Sequence, residues 1–255
     1  MISRYEAYMD GIALSSVNPK LLILDIAHAV SAESLTTDSI INRNGLILQK
    51  SRRAKTSVSI RFELRIYNIS ERQQALQEVQ RWASGKVLET NDRTGQQLYV
   101  HCDSFPVISS ALKWTDEMQV TFSSYEKPFW LEKTPAVLTL SAGTSGSGTL
   151  YVPGNAGKAL VEATVTPSSG TMANCTLTVA GRTITLTGVN ATESNPLTIR
   201  YDDMDIQSIK VGTTSVLDKR TGVDDLLAEC GTTNDVSFTA SSSATVSFSV
   251  KGAWL

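Results

Sequence analysis

TSVSIRFELRIYNISERQQALQEVQRWASG, residues 56–85, decides the fold. From Thr56 to Asn68 the chain alternates: Val58, Ile60, Phe62, Leu64 and Ile66 point one way, and Ser57, Ser59, Arg61, Glu63, Arg65 and Tyr67 the other. That is the period of a half-buried antiparallel strand, with one face on a core and one on water or a partner. At Ser70 the period changes. Ser70 and Gln73 have the spacing of a capping box, Ala75, Leu76, Val79, Trp82 and Ala83 form an apolar stripe, and Gly85 can supply a left-handed stop. The spacing predicts a single helix over Ser70–Ser84, packed on a sheet.

Outward from this stretch the chain reads as strand and turn. Leu21–Val30 is predicted as a strand, and Ile40–Gln49 brackets Asn44-Gly45, a hairpin dipeptide. After the helix, Lys86–Thr90, Gln96–Cys102, Val107–Trp114 and Met118–Tyr125 are predicted strands, separated by turns at Asn91–Gly95 and Thr115–Glu117. The chain has 255 residues, more than one core usually serves, and its composition breaks near Pro135. Up to Lys133 it holds 16 Lys+Arg, 15 Asp+Glu and three of the four tryptophans. Beyond Pro135 it holds 7 Lys+Arg, 10 Asp+Glu and much Ser, Thr, Val and Gly. The expected division is 1–134, an antiparallel β-sandwich or split barrel with one packed α-helix, and 135–255, a β-sandwich. In the second part Ala136–Leu140, Thr149–Val152, Leu160–Thr166, Cys175–Val179, Arg182–Leu186, Leu197–Tyr201, Gln207–Val211, Val236–Thr239 and Ala244–Val250 are short predicted strands. Ser141–Gly148 reads as a flexible loop, and Val223–Glu229 as a helical turn favoured by Asp224 and Asp225 and stopped by Gly231.

The residues that carry chemistry do not converge. His28 and His101 are the only histidines, and strand alternation sends His101 and Cys102 to opposite faces. Ser110–Lys113 and Ser124–Lys127 spell S-x-x-K without the partner motifs of penicillin-recognising enzymes. Gly143, Gly146 and Gly148 precede a strand, not the helix that a phosphate loop requires. Asp202, Asp203 and Asp205 cluster, but the calcium-loop pattern fails at Gln207 and Ser208. No catalytic, cofactor or metal residue is therefore assigned, and the expectation is a protein that is not an enzyme. Cys102, Cys175 and Cys230 are odd in number and widely spaced, and read as small buried hydrophobes. Asn68, Asn174 and Asn190 open glycosylation sequons that matter only after export.

The formal net charge of −2 offers no basic surface for stable nucleic-acid binding, and the basic run Lys50, Arg52, Arg53, Lys55 reads as the solvated end of a hairpin. Met1–Gly11 lacks the apolar segment of a secretory leader, and Leu21–Val30, broken by Asp25 and His28, is too short to span a bilayer. The expectation is a protein made in a cytoplasm. Tyr151, Tyr201 and Trp254 are aromatics for a sugar to stack on or for a core to absorb.

The order of these features resembles the distal tail protein family of long-tailed, non-contractile bacteriophages. The residues that carry the resemblance begin with Asp10-Gly11, Arg52-Arg53, the strand Val58–Ile66 and the helix around Gln73–Trp82. They continue through Asp103-Ser104-Phe105-Pro106, Tyr125-Glu126-Lys127-Pro128-Phe129-Trp130, Asn155-Ala156-Gly157, Leu226-Leu227 with Gly231 and Asn234, and Trp254. The resemblance implies a galectin-like sandwich in the second half and a structural role at the virion tail tip, assembled in the host cytoplasm. Six copies would form a ring through their first domains, between the tail tube protein and the tail-tip, receptor-binding or fibre proteins. Arg61, Glu63, Arg65 and Tyr67 are then the first place to look for a neighbouring subunit. Two other readings stand beside it: a carbohydrate-binding module for host cell-wall saccharides, and a tail-tube-like ring subunit.

Overall fold

The computed structural model describes residues 5–30, 33–39, 46–53, 55–106, 117–202, 204–223 and 225–255. The chain divides into two compact units, residues 1–130 with Leu255, and residues 131–254. Among the described residues the protein is mainly β, its sheets antiparallel, with one helix longer than a single turn.

In the first unit the elements run β1 (Ala7–Met9), β2 (Ile12–Ala13), α1 (Leu14–Val17), β3 (Leu21–Val30), β4 (Glu33–Ser39), β5 (Leu46–Arg53) and β6 (Thr56–Leu64). Then come α2 (Ile69–Ala83), β7 (Val87–Thr90), β8 (Gln96–Tyr99), β9 (His101–Ser104) and β10 (Glu117–Ser124). One sheet has the order β2-β1-β7-β8, and a second has the order β3-β6-β10-β9. β4 and β5 pair with each other around the expected Asn44-Gly45 turn, which itself lies outside the described residues. So do Val107–Trp114, the turn that follows it through Asp116, and the S-x-x-K at Ser110–Lys113.

β6 ends at Leu64, four residues before the alternation does. Ile66 is still buried, but its carbonyl accepts from the Arg72 guanidinium instead of a strand. The helix is capped by Asn68, not by Ser70: the Asn68 Oδ1 accepts from the N–H groups of Ser70 at 2.8 Å and Glu71 at 3.4 Å. The side chain two residues upstream reaches these donors first, so no Ser70–Gln73 box is needed. Nor is Gly85 a left-handed stop, since it is absent from the glycines of positive φ. It is small because a Cβ there would lie 2.3 Å from Met9 Cγ and 2.5 Å from Asp10 Oδ2. The Asp10 carboxylate accepts from the N–H groups of Lys86 and Val87, stitching the helix exit to the first hairpin.

α2 covers the inner face of the second sheet. Ala75, Leu76, Val79, Trp82 and Ala83 are buried, and Trp82 meets Phe122 of β10 edge-to-face at 5.9 Å while its indole N–H donates to the Ile12 carbonyl at 2.7 Å. The five apolar residues Val58 to Ile66 are at most 1 % exposed, as their period required. The expected strand Gln96–Cys102 divides at Val100, because β8 pairs with β7 in the first sheet and β9 with β10 in the second.

The second unit contains β12 (Ala136–Val152), β13 (Lys158–Pro167), β14 (Met172–Val179), β15 (Arg182–Ala191), β16 (Leu197–Tyr201), β17 (Gln207–Val211) and β18 (Thr214–Ser215). A short 3-10 turn at Leu217–Lys219, β19 (Arg220–Gly222), β20 (Leu227–Glu229), β21 (Thr232–Val250) and β22 (Ala253–Trp254) follow. β11 (Trp130–Glu132) begins on the last residue of the first unit's span and runs beside β22.

β12 and β21 organise the sandwich. Ala136–Leu140 pairs with the end of β21, which pairs with β13 and through it with β16, β17 and β18. Ser145–Val152 pairs with the start of β21, which pairs with β14 and through it with β15 and β19. Between the two halves β12 carries bulges at Leu140/Gly143 and Gly143/Ser145, the device that bends a strand from one sheet to another.

Two expectations fail here. Ser141–Gly148 is strand, not flexible loop; Gly146 sits opposite Phe238, where a Cβ would lie 2.7 Å from the ring. Its small residues make room for a bulge and an aromatic. Val223–Glu229 is not a helical turn among its described residues. Leu227–Glu229 pairs with β13, while the carbonyl of Leu226 accepts from Val161 N and its N–H donates to the Tyr201 hydroxyl. These tertiary bonds outweigh the favourable placement of the two aspartates. Asn234 is buried and closes the turn before β21: its Oδ1 accepts from Glu229 N at 2.8 Å and its Nδ2 donates to Glu229 O at 3.0 Å.

Candidate functional site

The candidate surface is the outer face of β6 and of the strands on either side. Register sets Arg61 between Asp25 of β3 and Gln119 of β10, and Glu63 opposite Glu117. Arg61 reaches both acids that flank it, Nη2 to Asp25 Oδ2 at 3.9 Å and Nη1 to Glu117 Oε2 at 3.5 Å. The Arg65 guanidinium meets Glu63 Oε2 at 3.2 Å. Tyr67, 76 % exposed, completes the four residues expected at a subunit contact. The half-exposed pairs of Arg61 contribute little to stability, so their value lies in the charge pattern that they display, while the Glu63 side chain is more deeply set.

Towards the other end of β6 the face becomes a hydroxyl ladder. Ser59 Oγ lies 3.2 Å from Thr121 Oγ1, and Ser57 Oγ 2.9 Å from Ser123 Oγ. The ladder ends at Asp103 of β9, which accepts from the Ser123 hydroxyl and, at 2.9 Å, from the Tyr125 hydroxyl. Lys55 stands 3.6 Å from Asp103 and 5.7 Å above the Tyr125 ring. Desolvation raises the Asp103 carboxyl, but the bonds from Ser123 and Tyr125 and the Lys55 charge together hold it below its ordinary range. The side chains of Lys50, Arg52 and Arg53 are outside the described residues.

A second polar group was not visible in the sequence. His28 Nε2 lies 2.7 Å from Asp92 Oδ2, the His28 ring meets Trp130 edge-on at 5.4 Å, and the Arg93 guanidinium covers Trp130 at 5.2 Å while donating to the Leu255 carbonyl at 3.1 Å. Burial raises the Asp92 carboxyl, but the neighbouring Thr90 hydroxyl and His28, by hydrogen bond and charge, bring it below its usual value. The partners are separated by tens of residues, and no local motif signals them.

The other sequence candidates do not come together. His101 faces Glu126 at 3.5 Å, whereas Cys102 Sγ contacts the Ser104 carbonyl. Cys102 is exposed, contrary to the expectation for all three cysteines, because β9 lies at the end of its sheet with its four residues exposed. Cys175 is buried as expected, and burial pushes its thiol up to about 12. Ser124 donates to the Lys127 carbonyl, closing a turn. Asp202 Oδ1 accepts from Met204 N at 2.9 Å and Ile206 N at 2.8 Å; Asp203 is outside the described residues. Among the described residues no three His, Cys, Asp or Glu side chains gather as metal ligands would, and no helix is long and apolar enough to cross a membrane. Tyr151 is 57 % exposed, whereas the Trp254 indole donates to Glu132 Oε1 at 2.7 Å.

No family model matches this chain, and no curated protein sequence matches it either. The fold itself has counterparts. It is shared with solved structures of bacteriophage proteins. In particular the chain is similar to the Dit protein (gp 19.1) of phage SPP1, described as a paradigm of hub adsorption apparatus in phages that infect Gram-positive bacteria. The match has a TM-score of 0.72 at 10% identity and covers 97% of this chain and 98% of that one. A chain of the phage p2 baseplate in its activated conformation with Sr matches at a TM-score of 0.50 and 11% identity, covering 97% of each chain.

Proposed function

We propose that this protein is a structural component of a phage tail, a distal tail protein that forms a hexameric ring between the tail tube and the tail-tip or baseplate and host-attachment proteins. The observation that carries this reading is the agreement in fold with the SPP1 Dit protein across both units. A ring needs a heterologous contact whose rotation closes after a fixed number of copies. We assign the outer face of Arg61, Glu63, Arg65 and Tyr67 to that contact. It mixes both charge signs with an aromatic, the composition from which selective contacts are built. In this reading the protein works by burying surface and imposing symmetry, not by bond chemistry, and sits at the tail tip of the virion after assembly in the host cytoplasm.

Negative-stain microscopy of the purified protein tests the proposal. Six-fold rings with a central channel are expected, and Arg61→Glu with Arg65→Glu should abolish them while the melting temperature stays near that of the parent. Long tubes would favour a tail-tube subunit, and particles without a channel at every concentration and salt would sink the ring.

A further inference from the structure

Among the described residues β12 pairs only with β21, Ala136–Leu140 with its end and Ser145–Val152 with its start, and no strand is paired on its other side. Open edges of monomeric proteins normally carry lysine, proline or other charges that forbid pairing with a second chain. Ala136–Val152 carries no charge and no proline in its 17 residues, and its only device of this kind is the pair of bulges between Leu140 and Ser145, on either side of its midpoint. Two large apolar side chains stand out from it instead, Val137 and Tyr151, each 57 % exposed.

The strand also reads nearly alike in both directions about Thr144. Leu138 mirrors Leu150, Thr139 mirrors Thr149, Ser141 mirrors Ser147, and Val137 mirrors Tyr151. The symmetry extends to the faces: Leu138 and Leu150 are the less exposed members, while Val137, Thr139, Thr149 and Tyr151 all turn outwards. In an antiparallel pair, residues directly opposite share a face, so mirror residues of two copies can face one another without a change of side. With no charge on either strand, nothing repels.

We propose that β12 is a docking edge for β12 of a second copy of this chain, paired antiparallel about a two-fold axis at Thr144. Val137 of each copy then lies across from Tyr151 of the other, and the two exposed apolar residues cover each other as a β-branched and aromatic cross-strand pair. The contact is isologous and stops at two copies. It is separate from any contact that closes a ring, and it holds whether or not a ring forms.

The register is tested by cross-linking the full chain in a Cys102→Ser background, which removes the exposed native thiol. Opposed residues of an antiparallel pair have Cα atoms about 4.5–5.5 Å apart, within reach of a disulfide. Val137→Cys and Tyr151→Cys proteins, mixed and mildly oxidised, should form a covalent dimer with one chain of each kind, and neither alone should do so. Thr144→Cys should cross-link to itself. No mixed dimer, or equal dimer from Val137→Cys alone, overturns the proposal. Counting six-fold rings in the same samples separates this contact from the ring, because loss of one leaves the other in place.

Discussion

Arg72, a buried residue of the first turn of α2, donates from Nη2 to the carbonyl oxygen of Ile66 at 2.9 Å and from Nε to the same oxygen at 3.3 Å. The end of the alternating stretch is thereby tied to the first turn of the helix by a charged donor. Arg72→Met keeps most of the packed stem but removes every donor, leaving the carbonyl of Ile66 without that partner. A loss of about 1.5–3 kcal/mol is expected from chemical denaturation, the range for hydrogen bonds to charged groups.

The Asn68 cap gives a second expectation. Asn68→Ala should cost about 1 kcal/mol and Asn68→Asp much less, because aspartate also accepts from the free N–H groups and favours the positive end of the helix dipole. Ser70→Ala should cost less than Asn68→Ala, which is the reverse of what a Ser70 capping box requires. Thermal melts of the three variants rank them directly.

Gly85 separates two explanations of a glycine after a helix. A left-handed stop would tolerate asparagine. Here the space is filled by Met9 and Asp10, so Gly85→Asn and Gly85→Ala should both destabilise, by about 1–3 kcal/mol as overpacking does. A stability for Gly85→Asn close to that of the parent would contradict the crowding account.

Asp103 has a folded pKa below its unfolded value, so its bonds stabilise the fold fully above the unfolded value of about 3.9, and that contribution is lost as pH falls through the folded value. Asp103→Asn should melt below the parent at neutral pH. The gap should narrow on acidification and close once the parent carboxyl is protonated. A difference independent of pH would show that the side chain acts by packing alone.

Much of this architecture can be read from period and spacing. The buried face from Val58 to Ile66 follows from alternation, and the stripe from Ala75 to Ala83 from helical spacing, because burial acts on every second or every third and fourth residue. Boundaries are less legible. Leu64 ends the strand because the Ile66 carbonyl has a better donor in Arg72, and Asn68 caps because its side chain reaches the donors first; neither competition is written in a pattern. The sequence pattern divides β12 and β21 each into two short strands, because in β12 Ser141–Gly148 has the composition of a linker. What makes that segment a strand lies across the sheet, in the Phe238 ring opposite Gly146. The polar face of Arg61 and Glu63 was likewise visible from alternation. Its bonds to Asp25 and Glu117 depend on the register of three strands and could not be read from one.

In the second unit, Ala136 at the start of β12 is the register partner of Val250 at the end of β21. The chain therefore enters and leaves the sandwich at adjacent points, and Leu255 belongs to the first unit. A segment whose two ends meet is an interchangeable cassette: it can be excised and its ends joined by a short turn, or exchanged for another fold with neighbouring termini, without lengthening the host chain's path.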